Sequence, residues 1–325
     1  MLDYTPQQFA QWSRIGSRKI FGKIIQELAL ENSDLFVIAA DVARASGMES
    51  FLEKETDCFY NAGISEQNMV AMAAGLALEN KNVFVTSFAP FSALRPFEAI
   101  RTLVGLMHLN VKIVGLSSGF SMGAQGNSHY ALEDIALMRT IPGMSVLSPS
   151  DCVETAKCLE FLAQYKGPAY IRLTGIPGTP NIHRENYDFV YGKIECIREG
   201  DDVAVFATGA VVNECVRAAR MLAKDDISCS VHNVHTIKPL DTEYIEGLAR
   251  KSKLIVTAEE HSIVGGLGGT VAELLSSKGL GNTVLRLGVD DLHLHEGDYA
   301  YMLEQSGLTS NRIREKILSG YGRVQ

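Results

Sequence analysis

The sequence predicts an α/β protein of two doubly wound, mostly parallel-sheet domains, on three observations. Short β-rich runs, each ending in turn or small polar residues, alternate with stretches of helical period along most of the chain. The alternation breaks once, at GIPGTPNIHRENYDFVYGKI (175–194), which is rich in Gly, Pro, Asn and charge, and then resumes. A length of 325 residues leaves room for two domains, since single domains cluster near about 100 to 150 residues. Buried-type strands separated by helices imply parallel sheets covered on both faces.

In chain order, the first series reads as strands at 35–42 (LFVIAADV), 82–88 (NVFVTSF), 111–118 (VKIVGLSS), 144–151 (MSVLSPSD) and 169–174 (AYIRLT). Helical patterns lie between them at 17–30, 66–79, 95–107 and 152–165. The second series places strands in DVAVFATG, SCSVHNVHTI, KLIVTAEE and TVLRLGV, with helices at 211–223, 241–251, 269–277, 299–307 and 310–321. The expected division is a first domain at 1–178, a linker at 179–191 and a second domain at 192–325.

Composition narrows the function classes. The formal charge is -8 and no long basic run appears, so no nucleic-acid partner is expected. No apolar run reaches membrane-spanning length, so no membrane partner is expected either. The six cysteines form no CxxC pair and no zinc-like spacing, which fits thiols in a reducing compartment. With charges and Gln where a signal peptide needs an apolar core, the expected location is cytoplasmic.

Some motifs invite chemistry and do not carry it. GGLGG (265–269) has Val271 where the dinucleotide spacing needs a third Gly, so close helix–strand packing explains it better. HLH (293–295) offers two imidazoles but no further ligands, which makes surface or interface histidines. Glu259, Glu260 and His261 follow a strand and are placed to line a domain interface.

In open parallel sheets ligands sit beyond the carboxyl ends of the strands, so the residues just after each strand are the informative ones. They include Asp41, Phe88, Phe91, Ser117, the loop to His129, and Arg172. Glu66 heads the small, apolar helix MVAMAAGLAL, where a carboxylate serves either a ligand or the helix dipole. Phe88 and Phe91 fit core or ring stacking, and His129 fits a structural or a catalytic role.

NAGISEQNMVAMAAGLAL, VFVTSFAPFSALRPFEAIR and GFSMGAQGNSHYALEDIALMRTIPGMSVLSPSD resemble the pyrimidine-binding domain of the transketolase family. GDDVAVFATGAVVNECVRAA, HTIKPLD and LIVTAEEHSIVGGLGG resemble that family's C-terminal domain, and the blocks keep their order over nearly the whole chain. The resemblance implies a thiamine diphosphate enzyme, a transketolase-type glycolaldehyde transferase moving a two-carbon ketol unit from a ketose to an aldose. By the same resemblance Glu66 activates the cofactor through its aminopyrimidine, Phe88 and Phe91 pack on that ring, and Asp41 lines the cofactor site. His129 would contact the sugar, while Arg18 and Arg172 would hold its terminal oxyanion, a task that suits guanidinium forks.

Departures accompany the match. A family aromatic falls on Leu94, a phosphate-site Ser on Ala39, a substrate His on Ser117, and an acidic residue that reads a hydroxyl on Gln125. Ser117 and Gln125 therefore stand as altered substrate-binding positions for a modified, phosphorylated or otherwise anionic, sugar. The family's GDG…Asn grip for Mg2+ and diphosphate is missing: GDD at 200–202 heads a strand, and GDY at 297–299 lacks the third Gly. A split transketolase is implied, with an N-terminal diphosphate-binding partner subunit in an α2β2 assembly and no metal ligand in this chain. Two alternatives remain open at this level: the beta subunit of a 2-oxo acid dehydrogenase decarboxylating component, and a non-catalytic α/β scaffold.

Overall fold

The computed structural model describes residues 4–53 and 56–324. Twelve strands form two sheets. The first half supplies β1 (Leu35–Ala39), β2 (Phe59–Asn61), β3 (Asn82–Phe88), β4 (Val111–Leu116), β5 (Ser145–Leu147) and β6 (Ala169–Arg172). The second supplies β7 (Glu195–Arg198), β8 (Val203–Ala207), β9 (Cys229–Asn233), β10 (Thr236–Lys238), β11 (Leu254–Ser262) and β12 (Val284–Val289).

The seven-stranded sheet runs β10-β5-β6-β4-β3-β1-β2, and the five-stranded sheet β12-β11-β8-β9-β7. All pairings are parallel except β10 on β5 and β7 on β9. Every residue of β4 and β8 is buried, as strands covered by helices on both faces require. The α/β class and the two mostly parallel sheets are as the sequence predicts.

Local chemistry sets the helices. Pro6 opens Pro6–Ile15, and the Thr5 hydroxyl accepts from Gln8 N at 3.4 Å. Asp151 caps Cys152–Gln164, its Oδ1 accepting from Glu154 N at 2.8 Å. The apolar helix expected from Glu66 runs Glu66–Leu78. Among the described residues no helix is long and apolar enough to cross a membrane.

Several elements depart from expectation, among them the short helices Pro6–Ile15, Glu49–Glu53 and Asp134–Thr140, which were not anticipated. The single strand expected in SCSVHNVHTI is two: β9 stays in the second sheet, and β10 crosses to the first, pairing Thr236 with Leu147 and Lys238 with Val146. The helix expected at 95–107 is broken, with Ala89–Ala93 and Phe97–Ala99 leading into a π-helical turn at Ile100–Gly105. Pro96 accounts for the interruption, since it cannot donate to a preceding turn. The short edge strands β2 and β7 carry no strong alternation and were not anticipated.

The halves are bound together. One hydrophobic core runs from Val83, Val85 and Ile113 of the first sheet to Ala204, Val234 and Ile237 of the second half. Between β6 and β7, among the described residues, the chain has neither strand nor helix, and His183 of this segment bridges both sides. Its Nδ1 lies 2.8 Å from Asp151 Oδ2 and its Nε2 2.8 Å from Glu195 Oε2, with the ring stacked on Tyr187 at 3.9 Å. Glu154, His183 and Glu195 lie close enough for a metal ion. Both ring nitrogens already face carboxylates, so the cluster is an imidazolium clamp and not a ligand set.

Candidate active site

The carboxyl ends of β1, β3 and β4 lie side by side, and the predicted residues emerge there. After β1, Asp41 adopts φ 56°; its N donates to Asn61 Oδ1 at 3.1 Å, and Asn61 Nδ2 donates to Asp41 Oδ1 at 3.3 Å. The same Asn61 Oδ1 accepts from Gly63 N, which shapes the turn leading to Glu66. Glu66 stands in the first helical turn and is only 6% exposed, above buried Met69 and Val70.

From Glu66 a continuous set of contacts runs across the strand ends. Arg95 Nη1 donates to Glu66 Oε1 at 3.1 Å, and the Arg95 guanidinium lies 4.0 Å over the Phe91 ring. Phe91 meets the His129 ring edge-on at 5.3 Å and Phe88 at 6.5 Å. Arg18 lies 5.9 Å over Phe88, and its Nη1 reaches Ser117 Oγ at 3.5 Å and Met122 Sδ at 3.8 Å. Ser128 Oγ sits 2.9 Å from His129 Nδ1 and can fix its tautomer.

Arg18, Phe88, Ser117, Met122 and Gln125 line a cavity of about 310 Å³. No carboxylate lines it, and burial pushes the Arg18 guanidinium below its ordinary value. A half-desolvated cation that has no counter-ion among the described residues is suited to an anionic ligand. The loop behind the cavity is held by Ser117 and Gly119, both at positive φ. At Gly119 a Cβ would stand 2.6 Å from Glu260 Oε2, so this crossing of the second half requires glycine.

The geometry thus unites Glu66, Phe88, Phe91, His129, Arg18, Ser117 and Gln125, with Asp41 at the same sheet edge. It does not include Arg172, and that expectation needs correction. Arg172 is fully buried, pairing with Asp134 through Nε (2.9 Å) and Nη2 (3.1 Å) while Nη2 also donates to the carbonyls of Ala131 and Glu260. Burial would push Asp134 upward, but the charge and hydrogen bonds of Arg172 outweigh it and hold the carboxyl below its ordinary value. The Nε and Nη2 of Arg172 are thus committed to a structural ion pair and two carbonyls, and the remaining Nη1 is buried without a partner and away from the cavity lining.

Arg95 is the residue that sequence reasoning missed. It lies in the turn after the helix Ala89–Ala93, four residues beyond Phe91, and no motif in the sequence marked it. The set-aside motifs find structural roles. Glu259 accepts from Leu267 N (2.6 Å) and Gly268 N (2.8 Å), closing the glycine run to a phosphate. Glu260 accepts from Phe120 N and Tyr299 OH at the interface of the halves.

Two doubly wound domains thus bring a buried carboxylate, two aromatics and an imidazole together at parallel strand ends. The transketolase pyrimidine-binding domain model matches residues 13–175, and the transketolase C-terminal domain model matches 192–313. The chain belongs to the transketolase family. A transketolase C-terminal section from Methanocaldococcus jannaschii is 40% identical over 93% of this chain and 95% of its own length. The 6-deoxy-6-sulfo-D-fructose transketolase subunit of a Clostridium species is 36% identical, over 91% of each chain. A solved structure described as a split gene transketolase, inactive beta4 tetramer, superimposes with a TM-score of 0.85 at 36% identity, covering 96% of this chain and 99% of that one.

Proposed function

We propose that this chain is the C-terminal subunit of a split, thiamine diphosphate-dependent transketolase that moves a two-carbon ketol unit from an anionic ketose to an aldose. The observation that carries the reading is the buried Glu66 carboxylate, joined through Arg95 to Phe91, which is one ring contact from His129 and one from the Arg18 cavity. Whether the cofactor suits the niche can be judged from Arg95. Its flat, cationic, N–H-bearing group already bonds Glu66 and covers Phe91, and an aminopyrimidine makes the same two demands.

When bound, thiamine diphosphate supplies the carbon nucleophile for carbon–carbon bond cleavage and formation. Glu66 would hold a proton at the pyrimidine nitrogen, a task open to it once Arg95 swings aside. Phe88 and Phe91 would cover the ring, and Asp41 would line its edge. His129 would move a proton at the sugar oxygens. Arg18 would bind the terminal oxyanion, with Ser117 and Gln125 contacting hydroxyls. The sulfo group in the name of the Clostridium relative's substrate is an oxyanion of the kind that a guanidinium takes.

Mg2+ and the diphosphate would be held by the N-terminal partner subunit in an α2β2 assembly. The outer face of the Glu66–Leu78 helix, with Ile64 before it 76% exposed and Leu78 57% exposed, would meet that assembly. The test is a thiamine diphosphate titration of this chain with and without the co-expressed partner, repeated with Glu66→Gln. Mg2+-dependent binding is expected only in the complex. Glu66→Gln should retain affinity while turnover falls by roughly 10²- to 10⁴-fold. Tight Mg2+-dependent binding by the isolated chain, or near-normal turnover of the variant, would sink the reading.

A further inference from the structure

A second cavity, of about 360 Å³, lies between the segment joining β6 to β7 and the second sheet, and shares no lining residue with the Arg18 cavity. Arg184 reaches it from the connecting segment, Arg198 from the end of β7 and Arg220 from the helix Val211–Leu222. Asn181 and Asn213 complete its polar lining, and no acidic residue lines it. Three guanidiniums converging from three elements stand out in a chain of net charge -8.

None of the three is neutralised internally. Among the described residues Arg184, Arg198 and Arg220 make no ion pair and no side-chain hydrogen bond, whereas Arg217 on the same helix is matched by Glu214 at 3.0 Å. Arg198 Nε is buried with no hydrogen-bond partner, and so is Asn181 Oδ1. A buried donor left unpaired carries an uncompensated desolvation cost, which a ligand oxygen would relieve. The volume falls at the small end of metabolite pockets, roughly 300–1,000 Å³.

We infer that this cavity binds a small hydroxylated phosphate ester, the phosphate held by the Arg184, Arg198 and Arg220 forks and a ligand hydroxyl donating to Asn181 Oδ1. Planar guanidiniums match phosphate oxygens in pairs, and the unpaired amide oxygen asks for a hydroxyl donor spaced from the phosphate within the same ligand. An occupant would tie the connecting segment to the second sheet beside the His183 clamp. The inference is independent of the thiamine reading, because none of its residues belongs to the Glu66 site.

The test is calorimetric titration of the full chain with glycerol 3-phosphate, inorganic phosphate and citrate. An Arg18→Ala background removes the other anion-seeking cavity. Glycerol 3-phosphate should bind saturably, more tightly than the other two, with and without Arg18. Arg184→Glu and Arg220→Glu, both at exposed positions and checked for native melting, should each weaken it at least tenfold. Backbone amide exchange at 181–184 should slow on binding. Absence of saturable binding, its loss with Arg18→Ala, or indifference to both charge reversals overturns the site. Tighter binding of citrate or of inorganic phosphate overturns the phosphate-ester assignment.

Discussion

Arg18 is half-buried and, among the described residues, its side chain bonds only the Ser117 hydroxyl and the Met122 sulfur, whereas Arg172 is enclosed by Asp134 and two carbonyls. The two guanidiniums should therefore respond differently to removal. Arg18→Ala in the assembled enzyme should keep the melting temperature and lower kcat/KM on phosphorylated or sulfonated sugars by about 10- to 100-fold, the worth of one charge-assisted hydrogen bond. Unmodified sugars should be little affected. Arg172→Met strands a buried carboxylate and should cost about 3–5 kcal/mol of stability, read as a drop in the denaturation midpoint. Equal kinetic losses for both variants with unchanged midpoints would contradict this division. That Glu66, Phe88 and Phe91 gather at one sheet end was legible because Phe88 and Phe91 close an apolar strand, Glu66 heads an apolar helix, and the blocks keep a recognisable order. The fate of Arg172 was not, since its partner Asp134 lies 38 residues earlier and only the fold brings them together. Arg95 escaped notice for the same reason, its carboxylate being 29 residues away.

At the scale of elements, the segment between β6 and β7 is pinned by one imidazole. The groups facing His183 are Asp151 and Glu154 from the first half, Glu195 from β7, and Tyr187 stacked on the ring. Burial alone would push His183 down, but the Asp151 charge and the hydrogen bonds to Asp151 and Glu195 outweigh it and raise the pKa to about 11. A group raised above its unfolded value of about 6.5 stabilises fully below that pH and loses its contribution as pH climbs toward 11. Replacing it by His183→Gln should cost about 3 kcal/mol near pH 6, with the gap to the native chain narrowing at pH 8 and again at pH 10. Thermal melts across that range provide the check, and a pH-independent gap would refute the charged clamp. The composition of 175–194 announced an irregular stretch, but not the ion triad that holds it. Likewise the apolar period of SCSVHNVHTI announced β structure, but not that its two ends serve different sheets.

For the whole molecule, β10 makes the halves interdependent. A fragment ending at residue 191 would lose β10, uncover the β5 edge at Ser145–Leu147, and strip Ala204, Val234 and Ile237 from the shared core. An unpaired strand edge beside exposed apolar surface favours association. We expect that fragment to elute as aggregate or in inclusion bodies; a monodisperse fragment with cooperative melting would show the first sheet to be self-sufficient. The two mostly parallel sheets were visible from the sequence rhythm, but a strand lent from one to the other cannot be, because rhythm records order along the chain and not partnership in space.

That loan of a strand also decides how a ligand gets in and out. Hinge-like opening of one lobe against the other would have to unzip β10 from β5 and split a common apolar interior, so traffic is left to movements smaller than a lobe. On the proposed reading, the swing of the Arg95 guanidinium off the Phe91 face and away from Glu66 would be such a movement.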